Sequence, residues 1–512
     1  MSADDAIFGP KHDRMQTHAV NGAAATVLAQ IAKVPFQAAS ILILPRLLSP
    51  DDYGIYYAVV PLISIVLTMH GMGLHQAIIQ SPTFNRGQAA ALFWISTITG
   101  VLGGLFFLLG APLISSLLAS FSNASAYEDP RAIALTAAAS FFVVWAGVMN
   151  IPRAIMNRQM KFGWLAVIDA AGVGCGLIAG ILAARAGAHH WALALDYAVT
   201  CMVGLIGVWL LVGWLPTDKP DFSDVWRFFK FGGGLMAAEL LTTASRWGDN
   251  VVVGARMDAG QLGLYGQGNR LANTPLERIY LLFERLLLPL LSRMHENAER
   301  YRRAYLRIIR QLMLFFAPGT VAVGVTAPVL IPFLLGEDWA AAAPVFAWLT
   351  LVALHQPVSM TMPFLFVSQR RASANFVWSV FSILTTLGAV MIGVRWGAVG
   401  AAAAFALSDV FLRLPFLWWI VTRKGPIKLG DLYGAAWPFA VASGAVFVVT
   451  SALMRLPYPN DFLLLAACAL AAYATALATL SLFKGGRMAM ADTASLFRTE
   501  TRRLIFRRKE SA

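Results

Sequence analysis

Apolar runs long enough to cross a bilayer recur along the whole chain, separated by short polar stretches. A hydropathy window of about 19 residues marks them near 20–45, 54–79, 87–110, 132–151, 163–184, 191–214, 231–253, 262–291, 311–335, 341–366, 374–394, 398–421, 434–454 and 462–483. The pattern predicts an all-α polytopic membrane protein of fourteen transmembrane helices. The apolar stretch Ala111–Ala119 is too short to cross and reads as an interfacial helix ending the third span. Loops are short, and the longest exterior one, near 111–131, leaves no room for a soluble catalytic domain.

Composition agrees with the pattern. The chain is 58% hydrophobic and only 13% charged, with a mean hydropathy of +0.65, against about 25% charged for a soluble domain. Cys175, Cys201 and Cys468 lie in apolar segments without paired spacing, so free thiols are expected. No cleavable signal peptide is expected, because the polar start carries no short apolar run ending in small residues. With the N-terminus inside, cytoplasmic segments hold roughly 28 of the 40 Lys and Arg residues and the opposite loops roughly 6. Both termini are therefore expected in the cytoplasm. The basic balance follows from this asymmetry, and its scatter over one face excludes a nucleic-acid site. Tail pairs such as Arg502-Arg503 suit anionic headgroups.

The two halves echo each other. Leu48-Ser49-Pro50-Asp51-Asp52-Tyr53-Gly54-Ile55-Tyr56 returns as Met257-Asp258-Ala259-Gly260-Gln261-Leu262-Gly263-Leu264-Tyr265, and Arg185-Ala186-Gly187-Ala188 as Arg395-Trp396-Gly397-Ala398. The spacing implies duplication of a six-span unit, hence two parallel lobes around a central cavity. The expected order is a cytoplasmic tail (1–19), an N-lobe (20–214), a linker (215–230), a C-lobe (231–421), two extra helices (434–483) and a basic tail (484–512).

Charges inside membrane-length segments are the candidate chemistry, since each costs roughly 2.5–3.5 kcal/mol even on a lenient insertion scale. Spans 7 and 8 hold Glu239, Arg246, Asp249, Arg270, Glu277, Arg278, Glu284 and Arg285. At about 1.5 Å per residue, Lys33, Arg246, Arg278 and Arg413 each lie roughly 21–22 Å from an end of their span, near mid-membrane. Arg270 and Glu277 share a helical stripe, while Asp409 and Arg413 are spaced as an internal ion pair. Lys33, Glu239, Arg246, Arg270, Glu277, Arg278 and Arg413 are thus substrate-site candidates, with the cations suited to phosphate. Asp169, Asp196 and Asp409 are candidates for ion or proton coupling, or are protonated acids between helices. His70 and His75 lack metal-ligand spacing, and no metal or cofactor site is expected. Asp51-Asp52 pairs two acids but stands where a turn and helix cap would follow Pro50.

Arg46 through Tyr56, with Gly73-Leu74-His75-Gln76-Ala77-Ile78-Ile79-Gln80, resembles the first two spans of bacterial Wzx-type polysaccharide flippases. Similar stretches are Gly263 through Arg293, Leu335-Gly336-Glu337-Asp338-Trp339 and Arg158 through Phe162, so that the resemblance covers roughly 20–425. These transporters belong to the MOP superfamily with the MATE exporters and lipid II flippases, and the style resembles the colanic acid and succinoglycan branch. The resemblance implies a bacterial inner-membrane flippase moving undecaprenyl-diphosphate-linked oligosaccharide to the periplasmic leaflet by alternating access. Implied partners are that lipid, membrane lipids, and a polysaccharide polymerase with its export machinery. A departure is the number of acids beside the cations. The alternatives are a MATE-like exporter of cations and an enzyme, a polymerase or ligase, acting on lipid-linked sugars.

Overall fold

The computed structural model describes residues 32–71, 74–81, 84–120, 125–223, 225–294, 297–369 and 371–495, with only the helix path given for 277–290 and for a few other positions in helices, among them 70, 71, 76, 80, 231, 232, 234, 235, 237, 238, 292, 293 and 372. Every regular element among these residues is helical. In the first half they are α1 (32–43), α2 (Pro50–Gly71), α3 (Leu74–Gln80), α4 (Arg86–Ala119), α5 (Pro130–Ala138), α6 (Ser140–Arg158), α7 (Phe162–Arg185) and α8 (His190–Val212). The long helices α9 (Val225–Arg256) and α10 (Ala259–Arg293) follow. Then come α11 (Ala298–Val325), α12 (Ala327–Leu335), α13 (Ala343–Ser359), α14 (Met362–Ser368), α15 (Ala372–Gly393), α16 (Gly397–Ser408), a π-helical turn (Asp409–Arg413) and α17 (Leu414–Thr422). Helices α18 (Leu429–Leu453), α19 (Asp461–Ser481) and α20 (484–495) end the described chain. The first expected span, 20–45, is described only from residue 32; among the described residues ten stretches are long and apolar enough to cross a bilayer by composition, a number compatible with the fourteen expected. The charged helices α9 and α10 fall outside those ten.

One expectation fails. Ala111–Ala119 is no separate interfacial helix, because α4 runs unbroken for 34 residues. The reason is a continuous pair of faces: Gly100, Gly104, Phe107, Ala111, Ser115 and Ala119 are buried, while Leu102, Phe106, Leu109, Leu113 and Leu117 form one exposed apolar stripe. Such a stripe suits lipid and not water.

Contacts divide the chain into two compact units, Met1–Gly266 and Gln267–Ala512. The division falls inside α10, so α9 and the start of α10 belong with the first half. A close helix crossing holds them there. A Cβ on Gly54 would lie 1.6 Å from the Ala259 carbonyl oxygen, and one on Gly263 would lie 1.8 Å from that of Pro50. Pro50 pairs with Ala259 and Gly54 with Gly263 in the sequence repeat, so the repeated turn packs reciprocally against its own copy. The missing side chains let the backbones approach, as small residues do in membrane helix pairs. Ser49 caps α2: its hydroxyl accepts from the Asp52 amide at 3.2 Å, and Asp52 accepts from the Ser49 amide at 3.1 Å.

In the first unit, α7 packs on α8 through Gly172, Gly176 and Gly180, and a Cβ on Gly176 would meet the Thr200 hydroxyl at 2.1 Å. The Lys161 ammonium donates to the Leu211 carbonyl at 2.8 Å, satisfying the C-terminal turn of α8. The second unit repeats the device at the equivalent position: Arg371 donates to the carbonyls of Val421, at 2.8 Å, and Ile420, at 2.6 Å. In that unit α18 and α19 pack on α11, where the Tyr473 hydroxyl donates to the Phe315 carbonyl at 2.8 Å.

The reciprocal crossing makes a clear forecast. Gly54→Ala and Gly263→Ala each drive a methyl into a backbone carbonyl that cannot swing aside, at a cost of about 1–3 kcal/mol. Thermal unfolding of the detergent-solubilised protein should show both melting below Gly388→Ala, a site with nothing within 4 Å. Equal melting of all three would refute the close approach.

Candidate functional site

The expected site residues separate into three groups. In the first unit, Lys33 of α1 and Asp169 of α7 meet at 2.8 Å. Arg153 of α6 completes the cluster, its Nη2 donating to both Asp169 oxygens at 2.9 Å. Sequence reasoning missed Arg153 because the apolar window ended the fourth span at 151. Helix α6 in fact continues to Arg158. One turn on, the Asn157 amide lies 2.9 Å from His75 Nε2, bringing α3 to the same region. Asp196 is elsewhere in this unit, its carboxylate against Gly176 at the crossing of α7 and α8.

In the second unit, Asp409 and Arg413 flank the π-helical turn with Oδ1 and Nη1 2.7 Å apart. His355 Nε2 of α13 lies 2.8 Å from the second Asp409 oxygen, and Arg413 Nη2 donates to the Ser382 hydroxyl of α15 at 2.8 Å. The guanidinium also sits over the Phe405 ring at 5.4 Å. Single-turn π bulges often mark functional positions, and here the wider turn presents acid and cation to each other. The spacing of 409 and 413 signalled that pair, but nothing in the sequence linked His355 or Ser382 to it.

The third group lies on the long charged helices. Glu239, Thr242 and Arg246 lie along one exposed face of α9. A polar stripe of this kind is unsuited to hydrocarbon and suits a hydrated path. Arg270 of α10 is half-buried, while the side chains of Glu277, Arg278, Glu284 and Arg285 lie outside the described residues. Asp249 faces inward from α9 and accepts from the buried Tyr265 hydroxyl at 2.9 Å. Among the described residues no group of His, Cys, Asp or Glu could hold a metal ion.

The Asp51-Asp52 pair divides its work. Asp52 caps α2 and accepts from the His190 amide at 3.0 Å, while Asp51 pairs with Arg131 at 2.6 Å. Arg131 also grips Asp129, in the loop before α5. Burial would raise the Asp129 pKa, but the Arg131 hydrogen bonds outweigh it and leave that carboxyl below its usual range. These acids are structural partners, so an acid pair for sugar transfer is not formed.

A profile described as polysaccharide biosynthesis protein matches residues 43–344. The chain belongs to this family. Among curated relatives, the lipopolysaccharide biosynthesis protein WzxC of Escherichia coli (strain K12) is 21% identical over 398 residues, covering 76% of this chain and 78% of the relative. The succinoglycan biosynthesis transport protein ExoT of Rhizobium meliloti (strain 1021) is 22% identical, covering 78% and 79%. Among solved structures, the lipid II flippase MurJ in an inward closed conformation aligns with a TM-score of 0.69 at 14% identity, over 91% of this chain and 98% of that one. An inward-facing MATE multidrug transporter of the MOP superfamily aligns with a TM-score of 0.55 at 15% identity, over 76% and 93%. The chain thus shares the fold of these two solved transporters and is a multi-pass membrane protein.

The buried network of the second unit carries its own forecast. Asp409→Asn leaves the Arg413 charge partly stranded in an apolar surround, at a cost of about 3–5 kcal/mol. Melting of the purified variant should fall sharply, and the double replacement Asp409→Leu with Arg413→Met should recover much of the loss. A single variant as stable as the parent would show that the pair contributes nothing to the fold.

Proposed function

We propose that the protein is a flippase that carries a lipid-linked oligosaccharide, held by its diphosphate, from the cytoplasmic to the periplasmic leaflet of a bacterial inner membrane. It acts as a transporter and not an enzyme, with both termini in the cytoplasm and its cargo passing to a polysaccharide polymerase and export machinery. The observation that carries the reading is the exposed stripe of Glu239, Thr242 and Arg246 on a membrane-length helix of a chain from a polysaccharide biosynthesis family. A hydrated helix face with a fixed guanidinium suits a diphosphate, which Arg binds through a planar fork of donors. Arg270 of α10, and Glu277 and Arg278 from the same sequence, are further charges on a membrane-length helix.

Export of a cationic small molecule, as in the MATE-type alternative, suits the site less well. Such cargo calls for acids in excess of cations, whereas Asp169 already meets two cations, Asp409 meets Arg413 and His355, and Glu239 shares its stripe with Arg246.

Deleting the gene should leave lipid-linked repeat units in the cytoplasmic leaflet and abolish polymer export. Arg246→Ala, at normal membrane abundance, should lower export about tenfold or more, the effect of losing one charge-assisted contact. Normal appearance of units at the periplasmic face in the deletion strain, with no other flippase present, would end the flippase reading; full activity of Arg246→Ala would remove that residue from the path.

A further inference from the structure

The Lys33, Arg153 and Asp169 cluster has charges that do not cancel. Two cations share one carboxylate, leaving a fixed excess of one positive charge. The pairing also leaves donors unused. Asp169 engages one amino group of the guanidinium and one proton of the ammonium. Among the described residues, Arg153 Nε and Nη1 and the other two Lys33 protons have no protein partner. Side-chain exposures of 14% for Lys33, 24% for Asp169 and 30% for Arg153 leave the group reachable. A metal cation is repelled there, and a neutral sugar has no use for the net charge. An anion with several oxygens matches both the charge and the free donors.

Resting on the transport reading above, the geometry points to an oxyanion-exchange site: Asp169 holds Lys33 and Arg153 in the empty protein, and phosphate oxygens of the diphosphate cargo take over both cations. Asp169 is a positioning residue. It keeps the two long side chains ordered, which lowers the entropy cost of binding, and it reclaims them when the cargo moves on. Asp169 lies about seven residues, roughly 10 Å, beyond the start of α7, near the turn that carries Arg158 and Lys161. The basic loops assign that end to the cytoplasm, so the cluster is a loading site, and Lys33, in contact with Asp169, sits nearer that face than its count along the first span implied. Arg153, absent from any reading of the spans alone, is its central donor.

The shared chemistry is a phosphate oxyanion, offered by a prenyl diphosphate and by bulk anionic phospholipid. The test uses the full-length protein in detergent, with geranylgeranyl diphosphate and phosphatidylglycerol titrated separately. The parent protein should prefer the diphosphate. Arg153→Gln and Lys33→Gln should each weaken its binding about tenfold, and Asp169→Asn, by removing the competing carboxylate, should tighten it by a similar factor. In proteoliposomes Asp169→Asn should nonetheless turn over more slowly. Asp169→Glu should restore parental affinity and turnover, an outcome that a purely packing role for Asp169 does not predict. A parent that binds diphosphate with all these variants unchanged overturns the exchange site and leaves the transport reading intact. A parent that binds no diphosphate at all overturns the transport reading itself. Equal affinity for phosphatidylglycerol, with the same response to the variants, overturns the assignment to cargo.

Discussion

A charge inside an apolar helix bundle must find a counter-charge or water, because leaving it bare in a low dielectric costs more than most single contacts return. That constraint organises both units. Lys33 and Arg153 close on Asp169, and Arg413 closes on Asp409 with His355 and Ser382 around them. Each cluster draws side chains from different helices, so satisfying the charge also fixes how those helices pack. Glu239 and Arg246 instead share an exposed face of α9, where water also reaches the charges. In the proposed transport, structure and function thus draw on the same few residues.

The two clusters differ in a way that bears on function. Arg413 is held by a carboxylate, a hydroxyl and an aromatic face inside a π-helical turn, an arrangement built to stay as it is. Asp169 serves two cations from two other helices, with donors to spare. The first neutralises charge in place; the second holds a surplus ready for an anion. Under the proposed transport, that surplus has a natural recipient in a lipid-linked diphosphate.

Close backbone approach is the second organising feature. Gly54 and Gly263 occupy equivalent places in the repeat, and each receives the carbonyl of the other copy's turn. Lys161 and Arg371 close the ends of equivalent helices in their own units by the same hydrogen bond to a terminal carbonyl. The two stretches that echo each other in sequence thus share points where backbone groups must be satisfied without water, while the charges around them differ.

Hydropathy alone located most of the described helices and the residues whose charge is anomalous, because transfer of apolar length into lipid depends on composition and order and on little else. It also picked out Asp409 with Arg413, since a four-residue spacing puts both on one helix face. It misread Ala111–Ala119, where length was judged from apolar content and not from the continuing buried face. Only the tertiary structure brought Arg153 to Asp169 and His355 to Asp409, and only it turned Gly54 toward Ala259. Such partners lie on different helices, consecutive ones for Arg153 and Asp169 and widely separated ones for Gly54 and Ala259, and local pattern carries no information about which helix will face which.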